Sequence, residues 1–226
     1  MAERLRIIFI SLSILFIGSI FSGAYFTDSE SISSNLFSAG QWASPVTSPT
    51  VSPTTSPTVT PTSGEIIITE FMANPDAVND EKGEWLEVYN ASASTVNFNG
   101  WRYRDSGIGN WGYIGINVTV DPGNYFIFGK SLDQSENGGV PVDYRVVSSM
   151  TLNNNGDSII LEKPDGLGGY ITVDEVVYDN STYTLSDGIA NMLKDLSYDN
   201  SQSINWGQST IPYGDGDLGT PGGPNV

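Results

Sequence analysis

From residue 65 onward the chain alternates between short apolar, β-branched or aromatic runs and clusters of Gly, Pro, Asn and Asp. Residues 66–71 (Ile-Ile-Ile-Thr-Glu-Phe) form the first run and are closed by Asn74-Pro75. Further runs at 84–89, 101–104, 113–120, 124–128, 143–147, 158–162 and 170–178 complete the predicted strands. Turns fall at Asp121-Pro122-Gly123, Asn154-Asn155-Gly156-Asp157 and Pro164-Asp165-Gly166, where Pro fixes φ, Gly supplies positive φ and Asx side chains bond local backbone. No stretch here sustains a helical period. Many short strands at close spacing predict an all-β antiparallel sandwich or barrel over 65–226. About 160 residues are enough for one core, and no internal repeat divides the region.

Upstream the pattern changes twice. Arg4 and Arg6 precede an unbroken run of apolar and small residues from Ile7 to Phe21, followed by Ser22-Gly23-Ala24. A basic start, an apolar stretch and a small-x-small site describe a secretory signal over 1–24. Left uncut, residues 7–26 are just long enough to act as a membrane anchor. Cleavage after Ala24 removes Glu3, Arg4 and Arg6. A short segment, 25–43, follows. Residues 44–64 then form a Pro/Thr/Ser linker, with Pro45, Pro49, Pro53, Pro57 and Pro61 recurring every four residues and no charge between Ser44 and Ser63. Proline at this density favours extended polyproline II over a packed core. At about 3.1 Å per residue such a stalk holds the following domain as much as about 60 Å away.

Composition removes several chemistries. The 226 residues include no Cys and no His, which excludes disulfides, thiol nucleophiles, imidazole metal ligands and histidine-based triads. Lys and Arg number 9 against 26 Asp and Glu, a net charge of −17. That surface repels phosphate backbones and anionic lipid, so nucleic acid is not an expected partner, and the membrane is reached only through an uncleaved N-terminus.

Ala24-Tyr25-Phe26-Thr27-Asp28 and Asn35-Leu36-Phe37-Ser38-Ala39-Gly40 resemble the start of the exported TasA/camelysin group, processed by the SipW type of signal peptidase. The resemblance implies a Gram-positive or archaeal exported protein. It stops where the linker begins, so fibre formation does not carry over with it.

The order of motifs beyond the linker resembles the lamin tail domain family. Ile68, Glu70 and Pro75 fit its opening "I-x-E-x-x-x-x-P". Glu84-Trp85-Leu86-Glu87-Val88-Tyr89-Asn90 fits "E-W-I/L-E-L/V-Y/F-N". Phe98-Asn99-Gly100-Trp101, running on to Asp105, fits "L/F-x-G-W-x-L-x-D". The stretch from Leu152 through Gly156 and Asp157 to Leu161 fits "L-x-N-x-G-D-x-I-x-L". Gly219-Thr220-Pro221-Gly222-Gly223-Pro224-Asn225 fits the closing "G-T-P-G-x-P-N". This resemblance implies an immunoglobulin-like β-sandwich and an accessory binding or tethering role. Trp85 and Trp101 are expected core anchors, Gly100 and Gly156 turn residues, and Asn90 a local backbone ligand; Glu70 and Glu87 are expected to serve fold hydrogen bonding.

Candidate chemistry is sparse. Glu70, Glu84 and Glu87 are the carboxylates that invite acid–base catalysis, but Glu84 and Glu87, an odd number apart, point to opposite faces of a strand and are poorly placed to cooperate directly. Asp76, Asp80 and Glu81 in one loop, and Asp215 and Asp217 in another, are the candidate ligands for calcium; the twelve-residue EF-hand pattern is absent. Asn90, Asn117 and Asn180 head N-x-S/T sequons. Trp111 and Trp206, outside the motifs, are candidate ligand-stacking residues. The expected function is a secreted or cell-surface, non-catalytic module that binds a cell-envelope glycan or protein. A surface-layer or fibre subunit and a calcium-dependent binding domain are the alternatives; a hydrolase is disfavoured.

Overall fold

The computed structural model describes residues 65–105, 107, 110–146 and 151–226, all within one unit, Thr55–Val226. The signal (1–24), the short exported segment (25–43) and the linker (44–64) lie outside the described residues.

Strands follow the sequence closely where apolar runs are long. They are β1 (Ile66–Met72), β2 (Trp85–Asn90), β3 (Val96–Asn97), β4 (Arg102–Arg104), β5 (Trp111–Tyr113), β6 (Thr119–Val120), β7 (Tyr125–Gly129), β8 (Tyr144–Arg145), β9 (Gly156–Pro164), β10 (Tyr170–Asp179), β11 (Asn191–Leu193) and β12 (Trp206–Gln208). One helical turn, α1 (Asp80–Gly83), precedes β2. The strand expected over 113–120 is two pieces: the chain leaves the ladder at Gly115, although Gly100 N–H still reaches Ile114 C=O and Phe98 N–H reaches Val118 C=O.

Two sheets face each other. One has six strands in the order β12-β11-β1-β2-β7-β8, the other four in the order β10-β9-β4-β5. Pairing is antiparallel throughout these sheets except between β7 and β8. Between them lies a core that includes Ile66, Ile68, Phe71, Leu86, Val88, Phe98, Tyr103, Phe126, Phe128, Ile159, Leu161 and Val176. The result is the antiparallel, immunoglobulin-like sandwich that the sequence predicts.

β1 is buried at every position, unlike a strand with one wet face. Its second face is covered by Trp85, Ile127, Val140 and Ala190, which with Met72 form a smaller cluster. The C-terminal segment adds to that cover: Gly222 lies against Ile127. The closing motif is therefore a strap across the back of the six-stranded sheet.

The strap is held by carboxylates. Glu70 and Glu87, opposite each other on β1 and β2, are both fully buried. Glu70 accepts from the Thr220 N–H at 3.0 Å and the Thr220 hydroxyl at 2.8 Å; Glu87 accepts from the Gly222 N–H at 2.7 Å and the Thr69 hydroxyl at 2.9 Å. Asn225 donates to Thr69 C=O and Leu193 C=O. Gly222 holds φ +92°, a conformation L side chains resist.

Both sheets carry a bulge where they approach, at Ile68/Glu70 on β1 and Thr172/Asp174 on β10. Buried Asp174 accepts the Ile68 N–H at 2.6 Å and the Asn200 amide at 2.7 Å, and that amide also donates to Ile68 C=O. Trp206 Nε1 then donates to Asn200 C=O. One buried polar set thus satisfies backbone that the bulge would leave unpaired.

Candidate functional site

The outer face of the four-stranded sheet has an unusual edge. β5 reads Trp-Gly-Tyr, and its alternation is exposed, buried, exposed. A Cβ at Gly112 would overlap the Tyr103 ring, which fills the space beneath the strand. Glycine lets β5 sit directly on that ring, so the core contact at this edge comes from Tyr103. Trp111 and Tyr113 project the other way and are each 50% exposed. Two large aromatics on one face of one strand, neither needed for the core, are a surface feature that folding alone does not call for.

The register extends this face inward. Tyr113 lies opposite Arg102, which lies opposite Glu162, which lies opposite Thr172. In the next row Trp111 lies opposite Arg104, Arg104 opposite the buried Ile160, and Ile160 opposite Glu175. Glu162 binds both arginines through their Nε atoms, with the Arg104 contact at 3.1 Å. Partial burial pushes the Glu162 carboxyl up, but the two guanidiniums outweigh it and hold the group below its usual range. Arg102 also lies over the Tyr170 ring, 4.0 Å from its centroid, a cation–π arrangement. The face is thus a strip of aromatic, guanidinium and carboxylate groups in which Arg102, Arg104, Glu162 and Tyr170 hold one another in place.

The other candidate stacking residue is elsewhere. Trp206 is 5% exposed, packed against Phe71 and Tyr183 and hydrogen-bonded through its indole N–H to Asn200. Its ring belongs to the core, and this corrects the expectation that it offers a stacking surface. Trp85 and Trp101 are core residues too: Trp85 Nε1 donates to Tyr213, and Trp101 packs edge-on to Phe98.

The two acidic loops meet, but their carboxylates do not gather at one point. Among the described residues no three carboxylates gather closely enough to hold a metal ion. Asp217 is buried and accepts the Asp76 and Ala77 N–H groups, closing the loop after β1. Asp76, Glu81 and Asp215 point to solvent, and Asp80 accepts from the Asn154 amide.

The three sequons separate by burial. Asn90 has no exposed surface, and its amide donates to Ser94 C=O and Val120 C=O; a glycan cannot be attached there without unmaking the fold. Asn117 and Asn180 are exposed. The two motif glycines serve turns, Gly100 at φ +89° and Gly156 at φ +142°. Asp157 accepts the Asn153 and Ser158 N–H groups beside Gly156, and Pro221 sits within the strap between Thr220 and Gly222.

Among the described residues, two depressions open near Asp80 and Thr151. The smaller, about 440 Å³, includes Glu84, Lys130 and Arg145. Burial pushes Glu84 up to about 7, partly offset by the Leu152 N–H and by Lys130, whose ammonium lies 3.3 Å from it. Glu84 and Glu87 serve different contacts, Lys130 and the strap.

Sequence reading did not single out Arg102, Arg104, Tyr113, Glu162 or Tyr170. The signal was present in the i, i+2 aromatic pair around Gly112, but not the register that sets it beside the arginines.

The match to a family model of the lamin tail domain covers residues 59–180, more than half of the chain. The chain belongs to the lamin tail domain family. The family is a non-enzymatic, immunoglobulin-like β-sandwich with binding or structural roles. The matched span ends at Asn180, whereas this lamin tail domain continues through β11, β12 and the strap, which complete the six-stranded sheet. No curated protein matches the chain.

Proposed function

We propose that this lamin tail domain is an exported, non-catalytic module that holds a cell-envelope partner against the outer face of its four-stranded sheet. The observation that carries the reading is the pair Trp111 and Tyr113, both half exposed on the same side of β5. The absence of His and Cys from the sequence and the separate engagement of Glu84 and Glu87 support a binding role over turnover. The apolar N-terminus and the proline-spaced linker support display away from the membrane.

The test is co-sedimentation of the purified chain with envelopes isolated from its source cells. The chain is expected in the pellet, and the double substitution W111A/Y113A is expected to leave it in the supernatant with its circular dichroism unchanged. Equal sedimentation of the double variant would remove this face from the function.

A further inference from the structure

Granting that envelope-binding reading, we infer that the partner laid across this face is an uncharged polysaccharide chain. Three features of the face lead to that class.

The first is charge. The chain carries −17 overall, yet the two central rows hold Arg102 and Arg104 against Glu162 and Glu175. An anionic polymer finds no excess of positive charge here and meets the field of an acidic domain around it. A cationic one finds more carboxylates on the loops than on this strip.

The second is donor geometry. A guanidinium carries five N–H donors in a fixed plane. Glu162 takes the Nε donors of Arg102 and Arg104, and Arg104 Nη1 reaches Asp105 C=O at 3.2 Å. Tyr170 supports Arg102 from one side. The guanidinium planes are pinned, and their outer edges present N–H groups without the entropy loss of ordering a free arginine. Hydroxyl oxygens are suitable acceptors for donors so placed.

The third is the aromatic edge. A pyranose offers a C–H face and a rim of hydroxyls, so it needs a flat apolar surface beside planar hydrogen-bonding groups. Trp111 and Tyr113 supply the first, while Arg102, Arg104 and Glu162 supply the second. A folded protein partner would call for the opposite layout, with apolar anchors at the centre and charges at the rim. Here Arg102, Arg104 and Glu162 lie on the two inner strands, while Trp111 and Tyr113 stand on one edge strand and Tyr170 on the other.

The test uses the full chain in native gel electrophoresis. The gels contain polysaccharide released from source-cell envelopes and separated by anion exchange into uncharged and anionic fractions. Retardation is expected in the uncharged fraction, unaffected by raising the salt, and weakened about tenfold or more by W111A and by Y113A separately, with partial recovery in W111F. R102Q is expected to weaken it without shifting the unfolding midpoint enough to explain the loss.

Retardation confined to the anionic fraction and lost in salt would overturn the inference. So would undiminished sedimentation with envelopes whose glycans have been oxidised by periodate, which would leave the binding face standing but make its partner a protein. Failure to sediment with untreated envelopes would instead overturn the binding reading beneath it.

Discussion

Glu70 and Glu87 face each other across β1 and β2, fully buried, and between them hold the two ends of one turn, Thr220 and Gly222. Burial pushes Glu70 up to about 7 against the pull of the Thr220 bonds. Burial, reinforced by the charge of Glu70, pushes Glu87 to about 8 although the Gly222 N–H and the Thr69 hydroxyl draw it down. The native state therefore holds these protons more tightly than the unfolded chain does. Their contribution falls as pH rises from about 4.5 through 8 and then levels off, at a cost on the order of 3 kcal/mol for Glu70 and about 5 kcal/mol for Glu87. Urea midpoints are expected to be higher at pH 5 than at pH 8.5. E87Q, which cannot ionise, is expected to flatten that dependence and to exceed the parent at pH 8.5. A midpoint that climbs steadily from pH 5 to pH 8.5 would contradict the arrangement.

The Asn200 amide binds both Asp174 and Ile68 C=O at the paired bulges. Asn200→Ala leaves a buried carboxylate and a buried carbonyl without that donor, and is expected to cost about 2–4 kcal/mol in chemical denaturation. Asp174→Asn, which keeps an acceptor for the Ile68 N–H, is expected to cost less. Equal stability of N200A and parent would show that water replaces the amide at no cost.

Two tryptophans give a direct contrast. Trp206→Ala removes a core ring and is expected to cost about 3–5 kcal/mol. Trp111→Ala is expected to stay within about 0.5 kcal/mol of the parent, because the residue is already half exposed to water. Thermal unfolding of the two variants side by side decides this, and a large loss for W111A would return its ring to the fold.

Gly112 has no room for a side chain above Tyr103. Gly112→Val is expected to lift β5 off the sheet, to cost about 1–3 kcal/mol and to shift the emission of Trp111 to the red. Unchanged stability and emission would mean that Tyr103 moves aside freely.

In a host that N-glycosylates exported chains, peptide mass spectrometry is expected to find sugar at Asn117 or Asn180 and none at Asn90. Occupancy at Asn90 would require modification before β2 and its neighbours close around it, since its amide lies inside the finished fold.

Where strands are long, the sequence reading and the structure agree. Residues 66–71, 124–128, 158–162 and 170–178 were legible because strand formation there follows β-branched and aromatic runs bounded by turn residues. β3, β11 and β12 were not legible. They are two or three residues long and carry little local signal: Asn191–Leu193 becomes a strand by lying between β1 and β12. The candidate site was half legible. Trp111 stood out from the motifs, but Trp206 stood out equally.

What the sequence alone determined is the class of fold, the order of its motifs and the chemistry it lacks. These follow from residue types and short-range periodicity, which act before any distant contact forms. Which indole is wet, which asparagine is closed to modification and which carboxylates hold the strap were decided by tertiary structure. Each depends on register between segments tens to more than a hundred residues apart, as when Thr220 meets Glu70 or Glu162 meets Arg102. Burial and electrostatic neighbours are properties of those meetings, and no local pattern encodes them.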